Sequence, residues 1–148
     1  MIFVARIGLS MGCYWAAYGI VTLLGILHTC YNILALGMGT MKEGPGMGEG
    51  YERTKPWHPL YNLLIFPFFA WLYLRGAGAV SWREAAATAL LWGTLTVVVD
   101  LVGWVLIKHP WSLTPRAFYL DYQPWITLIY ITIYASPLLA FGWIYFTR

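Results

Sequence analysis

One acidic residue stands alone where acidity is expensive. Residues 85–107 carry a single charged side chain, Asp100, in an otherwise apolar run, and an ionisable group in such a run faces protein or water and takes a polar partner. Few residues can meet it: His28 and Asn32 in the first uncharged run, Tyr130, Thr132 and Tyr134 in the last, with a water-filled cavity as a further alternative. Asp100 lies eight residues before Lys108 and His28 eight before Leu36. At 1.5 Å per helical residue both fall about 12 Å below one face, which makes His28 the expected partner and a tyrosine of the last run the reserve. An acid beside an imidazole can hold a proton or the polar end of a ligand, so Asp100, His28, Asn32, Tyr130 and Tyr134 are read as an intramembrane ligand site. The plainer reading is a hydrogen-bonded link between helices.

A second set of candidates lies in two loops with a shared vocabulary, Lys55-Pro56-Trp57-His58-Pro59 and Lys108-His109-Pro110-Trp111. Gathered on one face, Arg53, Lys55, His58, Lys108, His109 and Arg116 would suit an anion or a lipid headgroup, with Glu52 and Asp121 nearby. In an enzyme acting on a lipid-linked substrate, His58 or His109 would be the general base, and Arg53, Lys55 or Arg116 would hold phosphate. Against this stands an interfacial belt, because Trp and Tyr settle at headgroup depth and prolines start or stop helices there.

Other chemistry is sparse. Cys13 and Cys30 sit 17 positions apart on one helix, about 25 Å, too far for a disulfide. The three histidines follow no haem- or zinc-binding spacing, so no cofactor or metal is expected. Met38, Met41 and Met47 are read as exposed loop residues rather than a copper site.

The elements that must position these residues follow from counting uncharged runs, since a bilayer core needs about 20 mostly apolar residues per helix. Residues 7–41, 56–74 and 122–147 contain no Asp, Glu, Lys or Arg. With 85–107 they predict an all-α integral membrane protein. Four transmembrane helices near 3–36, 59–76, 82–107 and 123–147 form an antiparallel bundle, one transmembrane domain over 1–148. The long loops 37–58 and 108–122 then share one face. Their echo raises two helix-pair halves, 1–76 and 77–148, although the halves do not otherwise align. With 60% hydrophobic and 10% charged residues among 148, and mean hydropathy +0.64, the chain is neither disordered nor an ordinary soluble domain. Its net charge of +3 is scattered, which argues against nucleic acid as a partner.

Periodicity orients the helices. Ala85, Ala89, Gly93, Thr96, Asp100 and Gly103 form one stripe of small or polar residues, and Tyr18, Thr22, Gly25, Thr29 and Asn32 form another. Gly8, Gly12 and Ala16 make a small-residue edge that suits a homo-oligomer. Pro67 and Pro137 fall mid-helix and would bend their helices. Basic residues divide nearly evenly between the faces, so orientation rests on the short 76–81 turn flanked by Arg75 and Arg83. That places the termini in the cytoplasm; the membrane expected is the plasma membrane. The function expected is binding or transport of a small or amphiphilic ligand among membrane lipid. The alternatives are the interfacial enzyme and an accessory subunit without a site.

Overall fold

The computed structural model describes residues 2–40, 48–78 and 80–147. Met41, Lys42, Met47 and Arg148 lie outside them. Among the described residues the fold is all helical: α1 (Ile2–Leu34), a turn α2 (Glu49–Glu52), α3 (His58–Gly76), α4 (Trp82–Asp100), a short α5 (Pro115–Tyr119) and α6 (Trp125–Phe146). Leu101–Leu106 continue α4 as a π-helix. Three segments, Ala5–Leu34, Trp82–Leu106 and Trp125–Phe146, are long and apolar enough to cross a membrane. The chain therefore reads as a membrane protein. α3 is as long as α4 but is not one of the three, because His58, Pro59, Asn62, Pro67 and Arg75 dilute its apolar content.

α3 packs against α1 and α6, and α4 packs against α6. Between α1 and α3 residues pair in opposite order, Tyr14 with Phe66 and His28 with Tyr61. The fourth side is closed differently. α1 and α4 meet mainly through long side chains, in three hydrogen bonds with one offset of 82 residues: Trp92 Nε1 to Ser10 Oγ at 3.1 Å, Tyr14 Oη with Thr96 Oγ1 at 3.1 Å, and Tyr18 Oη to Asp100 Oδ1 at 2.7 Å. A constant offset at four-residue steps means that the two helices run in the same direction, one turn per rung. Tyr14 and Trp92 at the centre are fully buried. The stripe on α4 is the inward face: Ala85, Ala89, Gly93, Thr96 and Asp100 are all buried.

The ends are closed by specific polar contacts. Gly37, at φ 66°, turns the chain so that Met38 N–H returns to Asn32 O at 3.1 Å, the usual left-handed stop of a helix. Asn32 Nδ2 then donates to Gly50 O at 3.0 Å and to Thr54 Oγ1 at 3.1 Å, while Thr54 donates to Gly50 O at 2.9 Å. This clamp needs glycine at 50, where a Cβ would stand 2.6 Å from Ile33 Cγ1. At the other end Ser81 caps α4 by accepting from Glu84 N–H at 3.2 Å, and the Tyr73 hydroxyl donates to the Glu84 carboxylate. α3 and α4 are thereby tied across their short turn. Pro67 and Pro137 lie inside helices that continue through them.

Candidate functional site

Burial along α1 is interrupted once. Ser10, Tyr14 and Ala17 are buried, as are Gly25, Thr29 and Asn32, whereas Tyr18, Val21 and Thr22 between them are only partly so. They line a cavity of about 210 Å³. Its α4 wall is Thr96 and Asp100, continued by Trp104 of the π segment; its α6 wall is Ile126, Ile129 and Ile133. Toward the loops it is bounded by Tyr51, His58, Trp111, Phe118 and Tyr122.

Asp100 is 6% exposed. Its Oδ1 accepts from Tyr18 Oη, and that oxygen in turn accepts from Trp104 Nε1 at 3.0 Å. Bonds in such a chain polarise one another. No basic side chain forms an ion pair with Asp100 among the described residues. The buried Tyr130 hydroxyl stands beside Asp100 and Tyr119. The π-helix begins immediately after Asp100, with Ile107 N–H reaching Val102 O five residues back at 2.9 Å. The π segment ends the helix, a place where such turns are ordinary.

His58 is the second polar group of the wall. Its Nδ1 pairs with Tyr122 Oη, and its buried Nε2 has no partner among the described residues. Gly25 gives the imidazole its room, since a Cβ there would stand 3.0 Å from Nε2. Beside it, Lys55 is 4% exposed, paired to Glu52 at 2.6 Å, with Nζ 5.6 Å from the Tyr51 ring centroid and 5.4 Å from that of Tyr122. Burial pushes both phenols up from their ordinary value near 10, so they stay neutral at physiological pH.

Several of the expected residues are placed elsewhere. His28 does not meet Asp100: its Nδ1 bonds Tyr61 Oη at 2.6 Å, and Asn32 belongs to the Gly50 clamp. Depth counted from the helix ends misplaces the pair, because those ends are not level. At an offset of 82, Asp100 is level with Tyr18, and His28 lies ten residues, about 15 Å, nearer the loops. Tyr134 packs over Gly93 and bonds Thr94 at 3.2 Å, away from the cavity. Tyr130, the reserve, stands beside Asp100.

The loop cations are each engaged locally. Arg53 pairs with Glu49 at 3.7 Å, Lys55 with Glu52, and Arg116 with Asp121 at 3.8 Å. Lys108 and His109 serve the end of the π-helix, Lys108 Nζ on Val105 O at 3.3 Å and His109 Nε2 on Gly103 O at 2.8 Å. Leu113 N–H takes the Trp104 carbonyl between them at 2.8 Å. These are carbonyls that a helix end leaves unpaired. His109 Nδ1 accepts from Trp111 N–H at 3.2 Å, so both ring nitrogens are occupied. Among the six loop candidates, His58 alone lines the cavity.

Sequence reasoning passes over Trp104 and Tyr122, and treats Tyr18 as packing. The 82-residue offset that links Ser10, Tyr14 and Tyr18 to Trp92, Thr96 and Asp100 is present there only as a shared four-residue spacing. No three His, Cys, Asp or Glu side chains gather into a metal-binding group among the described residues. No protein-family model matches this chain, nor does any curated protein or solved structure.

Proposed function

We propose that this is a membrane protein of four antiparallel spans, α3 being the fourth, that binds or transports a small amphiphilic ligand in the cavity beneath the loops. The observation that carries this reading is Asp100: a buried carboxylate without a basic partner among the described residues, on the wall of a cavity. A buried charge is costly, and inside a membrane it marks a functional group by default. The largely apolar walls supply affinity and the few polar groups supply orientation, as in ligand sites generally. His28 and Asn32 drop out of the site; Tyr18, Trp104 and His58 replace them.

The test is steric. Ile129 lines the cavity and Leu128 is 40% exposed on the same helix. Small amphiphiles should raise the melting temperature of the chain in lipid nanodiscs. Ile129→Trp should abolish that stabilisation and Leu128→Trp should leave it; equal behaviour of the two variants refutes the cavity. Gly78→Cys and Ser112→Cys should label from opposite sides of the membrane, with position 78 on the cytoplasmic side in the plasma membrane orientation we favour.

The second reading, an enzyme acting on a lipid-linked substrate, has one observation behind it, the free Nε2 of His58 in the cavity wall. It predicts that His58→Ala costs more function than Asp100→Asn. Self-association through Gly8, Gly12 and Ala16 is also proposed. All three are exposed, and a Cβ at Gly8 or Gly12 meets nothing within 4 Å, which leaves room for the close approach that small residues permit.

A further inference from the structure

We propose that the ligand is a lipophilic organic cation, an ammonium on an apolar body, bound with its charge at Asp100. This deepens the cavity reading and rests on it. Asp100 accepts a hydrogen bond from Tyr18, with the Tyr130 hydroxyl beside it, and pairs with no basic side chain among the described residues. A carboxylate so placed lacks a counter-charge, which a cation supplies and a neutral or anionic ligand does not.

The groups around the carboxylate fit the same chemistry. The Tyr18 hydroxyl and the Trp104 indole N–H are spent on the Asp100 chain, so what these residues have left to offer a ligand is chiefly aromatic surface. Trp111, Phe118 and Tyr122 add further aromatic wall. Aromatic faces attract ammonium groups, most strongly where water is excluded. The molecule already uses this device at the cavity's edge, where the Lys55 ammonium stands near the Tyr51 and Tyr122 rings. Because Lys55 holds that end, a second cation is directed to the other, at Asp100. Val21, Ile26, Ile129 and Ile133 then receive the hydrocarbon part.

Benzyltrimethylammonium and neopentylbenzene, its neutral carbon isostere, separate charge from shape. With the full chain in nanodiscs, read by tryptophan fluorescence, the cation should bind at least about tenfold more tightly than the isostere. Asp100→Asn should remove that preference, bringing the two affinities to within about twofold of each other. Equal affinity for the two compounds overturns the cation proposal and leaves the cavity reading in place. Binding of neither overturns the proposal, and the Ile129→Trp comparison then decides the cavity separately. A cation preference that survives in Asp100→Asn removes Asp100 from the charge site. The wild-type comparison stands without the variant, so a failure of Asp100→Asn to fold still leaves a decisive result.

Discussion

Ser10 with Trp92 and Tyr14 with Thr96 make two rungs of the α1–α4 ladder, and Tyr18 with Asp100 makes the third. The backbone relationship is the same in each. In the first two every group is neutral, and Thr96 closes the set by donating to Trp92 O at 2.9 Å. Polar groups satisfied in this way align two helices and do nothing further. At the third rung a carboxylate replaces the hydroxyl, the α-helix becomes a π-helix, and the packing opens into a cavity. One seam thus serves as register at one end and as a candidate site at the other. The change that separates them is a single ionisable group.

The comparison breaks most visibly at Trp92. Its side chain is fully buried and touches Tyr14, Phe66 and Tyr73. Trp92→Ala should cost about 3–5 kcal/mol, by lost contacts and the void left behind. Denaturation in mixed micelles measures the loss. Ligand affinity of the remaining folded fraction should be unchanged, and a loss of affinity there would mean that the two ends of the ladder are not separable.

Smaller effects should divide Asp100 from Tyr14. Asp100→Leu leaves the Tyr18 hydroxyl without its acceptor and should destabilise by about 1–3 kcal/mol. Asp100→Asn still accepts from Tyr18 and should be nearly silent in thermal melts. Tyr14→Phe removes one interhelical bond, worth about 0.6 kcal/mol on the membrane-protein average, because Thr96 keeps its bond to Trp92 O. If Asp100→Asn melts as badly as Asp100→Leu, the carboxylate is structural and the third rung resembles the other two.

What is legible in the sequence follows the same division. The helical class, the inward stripe of α4 and the burial of Asp100 all come from composition and a 3.6-residue period, which one chain displays by itself. The partner of Asp100 depends on the axial offset of two helices 82 residues apart in sequence, and helix ends are poor markers of level when one helix runs on past the other. The loop cations mislead for a different reason. Glu49 with Arg53 and Glu52 with Lys55 stand at helical pair spacing, and Lys108 and His109 directly follow a helix end, where cations meet free carbonyls. Both patterns are visible in the sequence and point to local pairing rather than to a shared anion site. The π-turn and the free nitrogen of His58 have no such local mark.

The smallest effect on the fold is expected outside the ladder altogether, and it tests whether small residues on α1 play one part or two. Gly25 is buried against His58, while Gly12 faces outward, where an added methyl would meet nothing within 4 Å. Gly12→Leu therefore has no intrachain neighbour to displace and should change stability by no more than about 0.5 kcal/mol. It should still lower the self-association proposed for the Gly8, Gly12 and Ala16 edge, read by a mass measurement across protein-to-lipid ratios, because a leucine there holds a second backbone away. Gly25→Ala should do the reverse: oligomeric state unchanged, ligand binding weakened as the imidazole is pushed from its place. An oligomeric state unchanged by Gly12→Leu would show that this outward edge meets lipid, leaving α1 with a single working face, the one that carries Tyr18 to Asp100.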